Sequence, residues 1–313
     1  MTVFLLLSKY SLLYAVVLML VALGGMFSER SGIINIALEG IMVIGGLVGV
    51  VVSASLMNSV SPYLSMVIAI LSSALAGMVY SMLLAFASIN LKANQTIGGT
   101  ALNILATAIA MVVAKRFNGT QSAKIDYNNS AYLFNINTGK GVLTLNIFLF
   151  IGIVILIVAY VVLYKTRLGL RLRACGEHPQ AADSVGINVY KMRYIGVLIS
   201  GLLGGLGGFA YIIPAVSNWN FEYGVTGMGF LALAVMIFGQ WKPFRIFLAA
   251  IFFAVFKSVA NIYDSIDFLK SLKLTKEMYN MLPFIASMIV LTLTSKRSSA
   301  PKAEGIPYDK GMR

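Results

Sequence analysis

The sequence predicts an all-α protein that crosses a membrane many times. Two of the observations behind that prediction are compositional: 59% of the 313 residues are hydrophobic and only 11% are charged, at a mean hydropathy of +0.86. A soluble domain is roughly half apolar and about a quarter charged. The third is distribution. A membrane helix needs roughly 20 apolar residues, and apolar runs at 12–27, 33–56, 64–89, 143–163, 195–213 and 230–238 mostly approach or reach that length. The shorter ones read as broken or re-entrant elements. Nothing alternates with the period of two that an outer-membrane barrel requires.

Nine spans follow, within a range of eight to ten: 10–27, 33–55, 63–89, 96–114, 143–164, 194–213, 226–240, 244–263 and 279–295. The first is longer than a signal h-region and lacks a small-residue cleavage site, so it reads as a retained span. Residues 1–295 form one transmembrane domain, with an external polar loop at 115–143, a charged stretch at 165–193 and a mobile tail at 296–313. The tail has almost no apolar content, which favours mobility.

The net charge of +13 does not point to nucleic acid, because the basic residues fall between apolar runs, as the positive-inside bias requires. Lys165, Arg167, Arg171, Arg173, Lys191 and Arg193 form one group, Lys242 and Arg245 a second, and Lys296, Arg297, Lys302, Lys310 and Arg313 a third. One topology puts all three in the cytoplasm with the N-terminus outside. It leaves Lys115, Arg116, Lys124 and Lys140 outside, which runs against the bias. With Cys175 as the lone cysteine, no internal disulfide can form.

Small residues stand at helical spacing in several spans. Gly196, Ser200, Gly204 and Gly208 step by four along one face, with Gly201 and Gly205 beside them. Gly45, Gly49 and Ser53 repeat the pattern, as do Ser73, Gly77, Ser81, Ala85 and Ser88. Such faces let membrane helices approach closely; they also suit helices that slide or rock. In the fourth span Thr96, Thr100, Asn103 and Thr107 share one stripe. Polar groups there face the protein interior or a water-filled path, so helix–helix hydrogen bonding and path lining both stand. Glu39 is the only carboxylate deep in an apolar run, and Asn35 lies four residues before it. It is either a substrate-path residue or the brace of a broken helix, tied to backbone amides. Lys257 reads as a snorkelling lysine. A faint likeness between "GIINIALEGIMVIGG" and "GMGFLALAVMIFG" suggests a repeat on which nothing is built.

Catalytic signatures are missing from the sequence. The lone "TGK", at 138–140, is followed by Gly and has no Gly five residues ahead, so it is no phosphate loop. One His and one Cys cannot make a paired metal site, and no nucleophile elbow accompanies His178. The expectation is a transport subunit with no cofactor of its own, ATP being bound by a separate subunit.

Within 165–193, Pro179 favours a helix start and Gly186 a stop, giving about two polar turns flanked by basic residues. The small Ala181 and Ala182 permit close approach, which suits docking into a groove on a soluble partner. "GLRLRACGEHPQAADSVGINVYKMR" resembles the cytoplasmic coupling loop of ATP-binding-cassette importer permeases of the ribose and branched-chain amino acid class. Gln180 stands where Glu is common and His178 where Asn is common. "FSERSGIINIALEGIMVIGG" is similar to the second-span signature of the nucleoside (basic-membrane-protein-associated) branch, and "NQTIGGTALNILA" and "GFLALAVMIFGQWKPF" match further blocks.

The resemblance implies a type II importer-like permease in a bacterial cell membrane. It implies a cytoplasmic ATPase, a second permease subunit that is often a paralogue, and a lipoprotein that delivers the solute. Glu177, His178, Pro179, Gln180, Ala181, Ala182, Asp183 and Gly186 would then contact the ATPase. Asn35, Glu39, Thr96, Thr100, Asn103 and Thr107 would lie near the translocation path, and residues 219–223 would line the outer mouth or simply pack. Nucleosides are the expected cargo. A simple sugar or branched-chain amino acid in the same machinery, and a stand-alone secondary transporter, are the alternatives.

Overall fold

The computed structural model describes residues 3–119, 121–137, 142–272, 274–294 and 299–311. Lys140, Lys296, Arg297 and Arg313 of the charge pattern, and the tripeptide at 138–140, lie outside those residues.

The chain runs α1 (Val3–Arg30), α2 (Leu38–Ser55), α3 (Pro62–Ala85) with a π turn at Phe86–Asn90, and α4 (Gln95–Asn118). Short strands β1 (Lys124–Asp126), β2 (Leu133–Asn137) and β3 (Val142–Asn146) follow, then α5 (Ile147–Lys165), α6 (Arg167–Glu177), α7 (Pro179–Ser184) and α8 (Val189–Ile212). After β4 (Asn218–Asn220) come α9 (Met228–Phe238), α10 (Pro243–Ile262), α11 (Asp267–Ser271), α12 (Lys276–Asn280) and α13 (Leu282–Thr294). Local chemistry sets many of these starts. Asn94, Asn146, Thr166 and Asn188 accept first-turn amides as N-caps of α4, α5, α6 and α8. Pro62, Pro179 and Pro243 open α3, α7 and α10, where a missing N–H costs nothing.

Among the described residues seven helices are long and apolar enough to span a membrane: α1, α2, α3 with its π turn, α4, α5, α8 and α10. Seven of the nine expected spans match these helices. Of the other two, α9 has 11 residues, too few to cross alone, and α13 has 13 among the described residues. The helix α9 opens at Met228, two residues into its expected span, and the other expected span opens on the last residues of α12 before α13 begins at Leu282. The fifth span starts at Ile147, not at 143, because 142–146 pairs with β2 as a hairpin.

The helix α8 is the hub, packed against α1, α2 and α3, and its missing side chains make that possible. A methyl on Gly205 would stand 2.5 Å from the Ser73 carbonyl oxygen and 2.9 Å from Gly77 Cα. One on Gly204 would meet Ile41, one on Gly196 would meet Ser31, and one on Gly208 would collide with the Met42 carbonyl. The backbones themselves form the contact, as small-residue packing predicts.

One end of the bundle gathers Arg30, Glu177, Trp241 and the tail. The charged stretch, the α9–α10 turn and the described tail thus share a side, as the charge grouping expects. The opposite end carries a ribbon in which Lys124, Ile125 and Asp126 pair with Asn220, Trp219 and Asn218. There Tyr127 donates to the carbonyl of Ile212 at the far end of α8.

The close approach at α8 makes Gly208→Ala destabilising by about 1–3 kcal/mol through overpacking. Gly98→Ala, with nothing within 4 Å of the added carbon, should be neutral or mildly stabilising. Thermal unfolding of the two purified variants against wild type reads the difference.

Candidate functional site

Between α1 and α2, residues 31–37 are not helical yet Ile33, Asn35 and Ala37 are buried. Non-helical backbone inside a membrane needs partners from the protein, and here side chains of α1 and α4 supply them, with α8 holding the Asn35 side chain. Ser28 at the end of α1 donates its hydroxyl to the Ile33 carbonyl at 2.7 Å. From α4, Gln95 Oε1 accepts the Ile34 N–H at 2.7 Å. Further along α4, Asn103 Nδ2 donates to the Ile36 carbonyl at 2.9 Å while its Oδ1 accepts the Gly40 N–H at 2.7 Å. The Asn35 amide donates to Ser200 Oγ of α8 at 2.8 Å. Both ends of the Asn103 amide are thereby engaged by α2 and the segment leading into it.

Glu39 sits in the first turn of α2 and reaches a second helix start. Its Oε1 accepts the Gly227 N–H at 2.8 Å and its Oε2 the Gly229 N–H at 2.6 Å. These are amides of the first turn of α9, which has no side-chain cap of its own. Gly227 adopts φ +79°, and Gly229, which has no Cβ, lets the Glu39 backbone come close. The carboxylate therefore satisfies two orphan donors at the positive end of a half-length helix. Lys257 of α10 acts on the Glu39 charge from nearby. The two segments of faint likeness meet here, at the first turns of α2 and α9.

The polar stripe of α4 straddles a boundary. Asn103 belongs to the buried line with Gln95, Gly99, Ala106 and Ala110, Thr107 is half-buried, and Thr96 and Thr100 are exposed. The Thr100 and Thr107 hydroxyls donate to carbonyls of their own helix, Thr100 to Thr96 and Thr107 to Asn103. Next to Thr107 comes the turn at residues 221–224, where a methyl added to Gly224 would stand 3.9 Å from Thr107 Oγ1. Within 219–223 the two expected roles divide. Trp219 pairs in the β1–β4 ribbon, Phe221 is fully buried, and Glu222 and Tyr223 are exposed.

At the other end, α6 and α7 make a bent arm. His178 caps α7, its Nδ1 accepting the Ala181 N–H at 3.2 Å, and Gly186 stops the helix at φ +82°. Pro179 and Ala182 point inward, so of the two alanines only Ala181 is offered to a partner. Glu177, His178, Gln180, Ala181 and Gly186 are exposed, and Asp183 is half-buried. Val185, 74% exposed at the tip, is an apolar contact that the sequence pattern left unremarked. Beneath the arm lies a small apolar cluster of Cys175, Ala182, Val189, Met192 and Tyr308.

The turn "SERSG" ties this arm to the bundle, and sequence reasoning missed its role. Arg30 Nη1 pairs with Glu177 Oε1 at 3.4 Å and Nη2 donates to the Trp241 carbonyl at 3.3 Å. The Trp241 indole N–H donates to Glu29 Oε2 at 2.6 Å. The only available signal was a charged pair at the edge of an apolar run. Composition reads the tail as mobile, but over 299–311 the structure lays it along this turn. Ala303 N–H donates to the Gly176 carbonyl at 2.8 Å, Gly305 N–H to the Gly32 carbonyl at 3.2 Å, and Ser299 N–H to Gln240 Oε1 at 2.9 Å. Tyr308 meets Tyr190 edge-on at 5.3 Å, and Lys92 pairs with Asp309 at 2.6 Å. Backbone hydrogen bonds, one tyrosine and one ion pair, rather than apolar bulk, hold it. Burial pushes the Glu304 carboxyl up, against the opposing pull of its hydrogen bond with Glu29 and the Arg30 charge.

A half-helix whose start is braced in mid-bundle, several full spans and an exposed two-turn arm at one end define a multi-pass membrane permease. Residues 8–292 match the family described as the branched-chain amino acid transport system permease component, and the chain belongs to it. The nucleoside ABC transporter permease protein NupC of Lactococcus lactis subsp. cremoris is 39% identical over 96% of this chain and 95% of that protein. The guanosine ABC transporter permease protein NupQ of Bacillus subtilis is 38% identical over 97% and 96%. A putative glucose ABC transporter permease of Haloferax volcanii is 31% identical over 77% and 72%. No solved structure matches the chain.

Two outcomes follow. Asn103→Ala leaves the Gly40 N–H and the Ile36 carbonyl unpaired, at about 1–3 kcal/mol each; thermal unfolding should show the loss, whereas Thr100→Ala should cost little. Glu304, its folded pKa raised, contributes stability that is full below the ordinary 4.5 and fades as pH rises through the folded value. Glu304→Gln should therefore raise the melting temperature at about pH 8 more than at about pH 5.

Proposed function

We propose that the chain is the membrane-spanning subunit of an ATP-driven importer for nucleosides. One observation carries the reading: full-length likeness, at 38–39% identity, to permeases named for nucleosides and for guanosine. The more distant glucose relative is the reason to run a sugar in parallel. In this reading the chain carries no ATPase and binds no cofactor. ATP is bound by a cytoplasmic subunit, which meets the exposed face of α7, with Gln180, Ala181 and Val185 at its centre. A second permease subunit and a solute-delivering lipoprotein complete the machine.

Motion of α7 has a direct route inward. Glu177 is tied to Arg30, Arg30 to Trp241, and Trp241 to Glu29 at the end of α1. Pushing on the arm therefore pulls on α1 and on the α9–α10 turn together. From that turn, α9 leads back to the amides held by Glu39. The outward stripe of Thr96 and Thr100, with Thr107 and the exposed Glu222 and Tyr223, is the face this reading assigns to the solute, opposite the second permease. Hydroxyl-lined walls with few charges suit a neutral polar solute. Glu39, with both oxygens engaged by α9, suits a brace better than the ion site of a stand-alone transporter.

The test is affinity purification of the complex beside the double variant Gln180→Lys/Asp183→Lys. An ATPase should accompany wild type and be lost from the variant, and uptake of labelled guanosine should fall more than about tenfold from like-charge and steric mismatch at the docking face. Unchanged co-purification would remove α7 as the contact. Labelled glucose taken up in place of guanosine would change the cargo and leave the machine.

A further inference from the structure

Between the last two turns of α5 and the first turn of α10 lies an open cavity of about 400 Å³. Lys165, Lys242 and Arg245 line it, together with Tyr160, Tyr164 and Phe244, and no acidic side chain does. The two ion pairs found among the described residues, Arg30–Glu177 and Lys92–Asp309, involve none of these three cations. Three exposed like charges around one hollow repel one another unless an anion joins them. The first turn of α10, with no side-chain cap, adds its positive end to the same spot.

The rest of the lining says what kind of anion. Tyr160 packs against Tyr164 at 5.4 Å and against Phe244 at 5.1 Å between ring centres, bridging the two helices. From this aromatic seam two exposed apolar stripes run into the bundle's flank. On α5 the stripe is Ile157 and Val161; on α10 it is Leu248, Ile251 and Phe252. These lie at helical steps from Tyr160, Tyr164 and Phe244, so the stripes continue the cavity's own walls. A phosphate on top, an aromatic collar at headgroup depth and a hydrocarbon groove below match one amphiphile. A protein's acidic patch would leave the groove uncovered, and a free phosphate would leave the aromatic seam unused.

We infer that the α5–α10 cavity binds the headgroup of an anionic phospholipid, with its acyl chains along the exposed stripes of the two helices. The site lies beside α6, where Arg173 stacks on Tyr164 at 4.9 Å, so an occupant touches the base of the arm. The inference holds whatever the transported solute is.

The purified permease complex, titrated with phosphatidylglycerol and with phosphatidylcholine of the same chains and read by native mass spectrometry, tests it. Wild type should hold phosphatidylglycerol preferentially. The variant Lys165→Ala/Lys242→Ala/Arg245→Ala should lose on the order of 100-fold in affinity, from about fivefold per basic residue. Lys165→Arg/Lys242→Arg/Arg245→Lys should restore most of it. Each single alanine variant should lose about fivefold, which keeps a readout if the triple variant does not assemble. Inorganic phosphate at equal concentration should fail to displace the lipid, and Phe244→Ala should weaken lipid binding alone. Equal phosphatidylglycerol binding by wild type and the triple variant overturns the site. Displacement by inorganic phosphate overturns the lipid as its source. Loss of the co-purifying ATPase from the triple variant with lipid binding unchanged assigns the cations to a protein contact instead, which also overturns it.

Discussion

The architecture depends on one constraint: backbone that is not helical inside a membrane must find its hydrogen bonds within the protein. Residues 31–37 break the helical ladder, and α9 begins without a side-chain cap of its own. Each defect is answered by a polar side chain on another element. Gln95 and Asn103 answer the first, and Glu39 answers the second. Because Glu39 belongs to the helix that Asn103 stabilises, the repairs form a chain. α4 positions α2, and α2 positions α9. The glycine face of α8 then lets these elements stand close enough for the side chains to reach.

Much of this was legible in residue order, for a physical reason. Apolar runs of this length report spans directly, since a helix satisfies its own backbone in lipid, and the small-residue stripe of Gly196, Ser200, Gly204 and Gly208 reports a packing face. Glu39 and Asn103 announced themselves as costly groups that must have partners. What the sequence could not say was which partners. Hydrophobicity does not distinguish an amide that meets solute from one that meets a distant carbonyl, and here the Asn103 amide meets the Ile36 carbonyl. Nor does it measure where a span begins: α9 is as apolar as its neighbours, and only the loop before it shortens it. The Glu29, Arg30 and Trp241 cluster was hidden because each residue is unremarkable alone. The tail was hidden because its attachment runs through backbone groups, which every sequence has.

At the arm end, a compact knot of polar contacts takes the place of apolar packing. Arg30 joins α6 to the α9–α10 turn, Glu29 joins that turn to α1, and the tail lies across all of them. Hydrogen bonds and ion pairs of this kind have defined geometry, so they transmit displacement instead of yielding sideways. The cluster under α7, by contrast, is small and apolar, with Tyr308 as its lid. The arm thus has a stiff root and a replaceable cushion.

The brace between Glu39 and α9 also has a consequence in time. Glu39 is made 188 residues before Gly227 and 190 before Gly229. At roughly 5–20 residues per second of synthesis, a carboxylate already committed to the membrane waits about 10–40 s before its partners exist. During that interval α2 is a helix with an unanswered charge, held near the surface or shielded by water and other proteins. A ribosome that stalls after α8 therefore leaves Glu39 without either of the amides that it accepts in the finished fold.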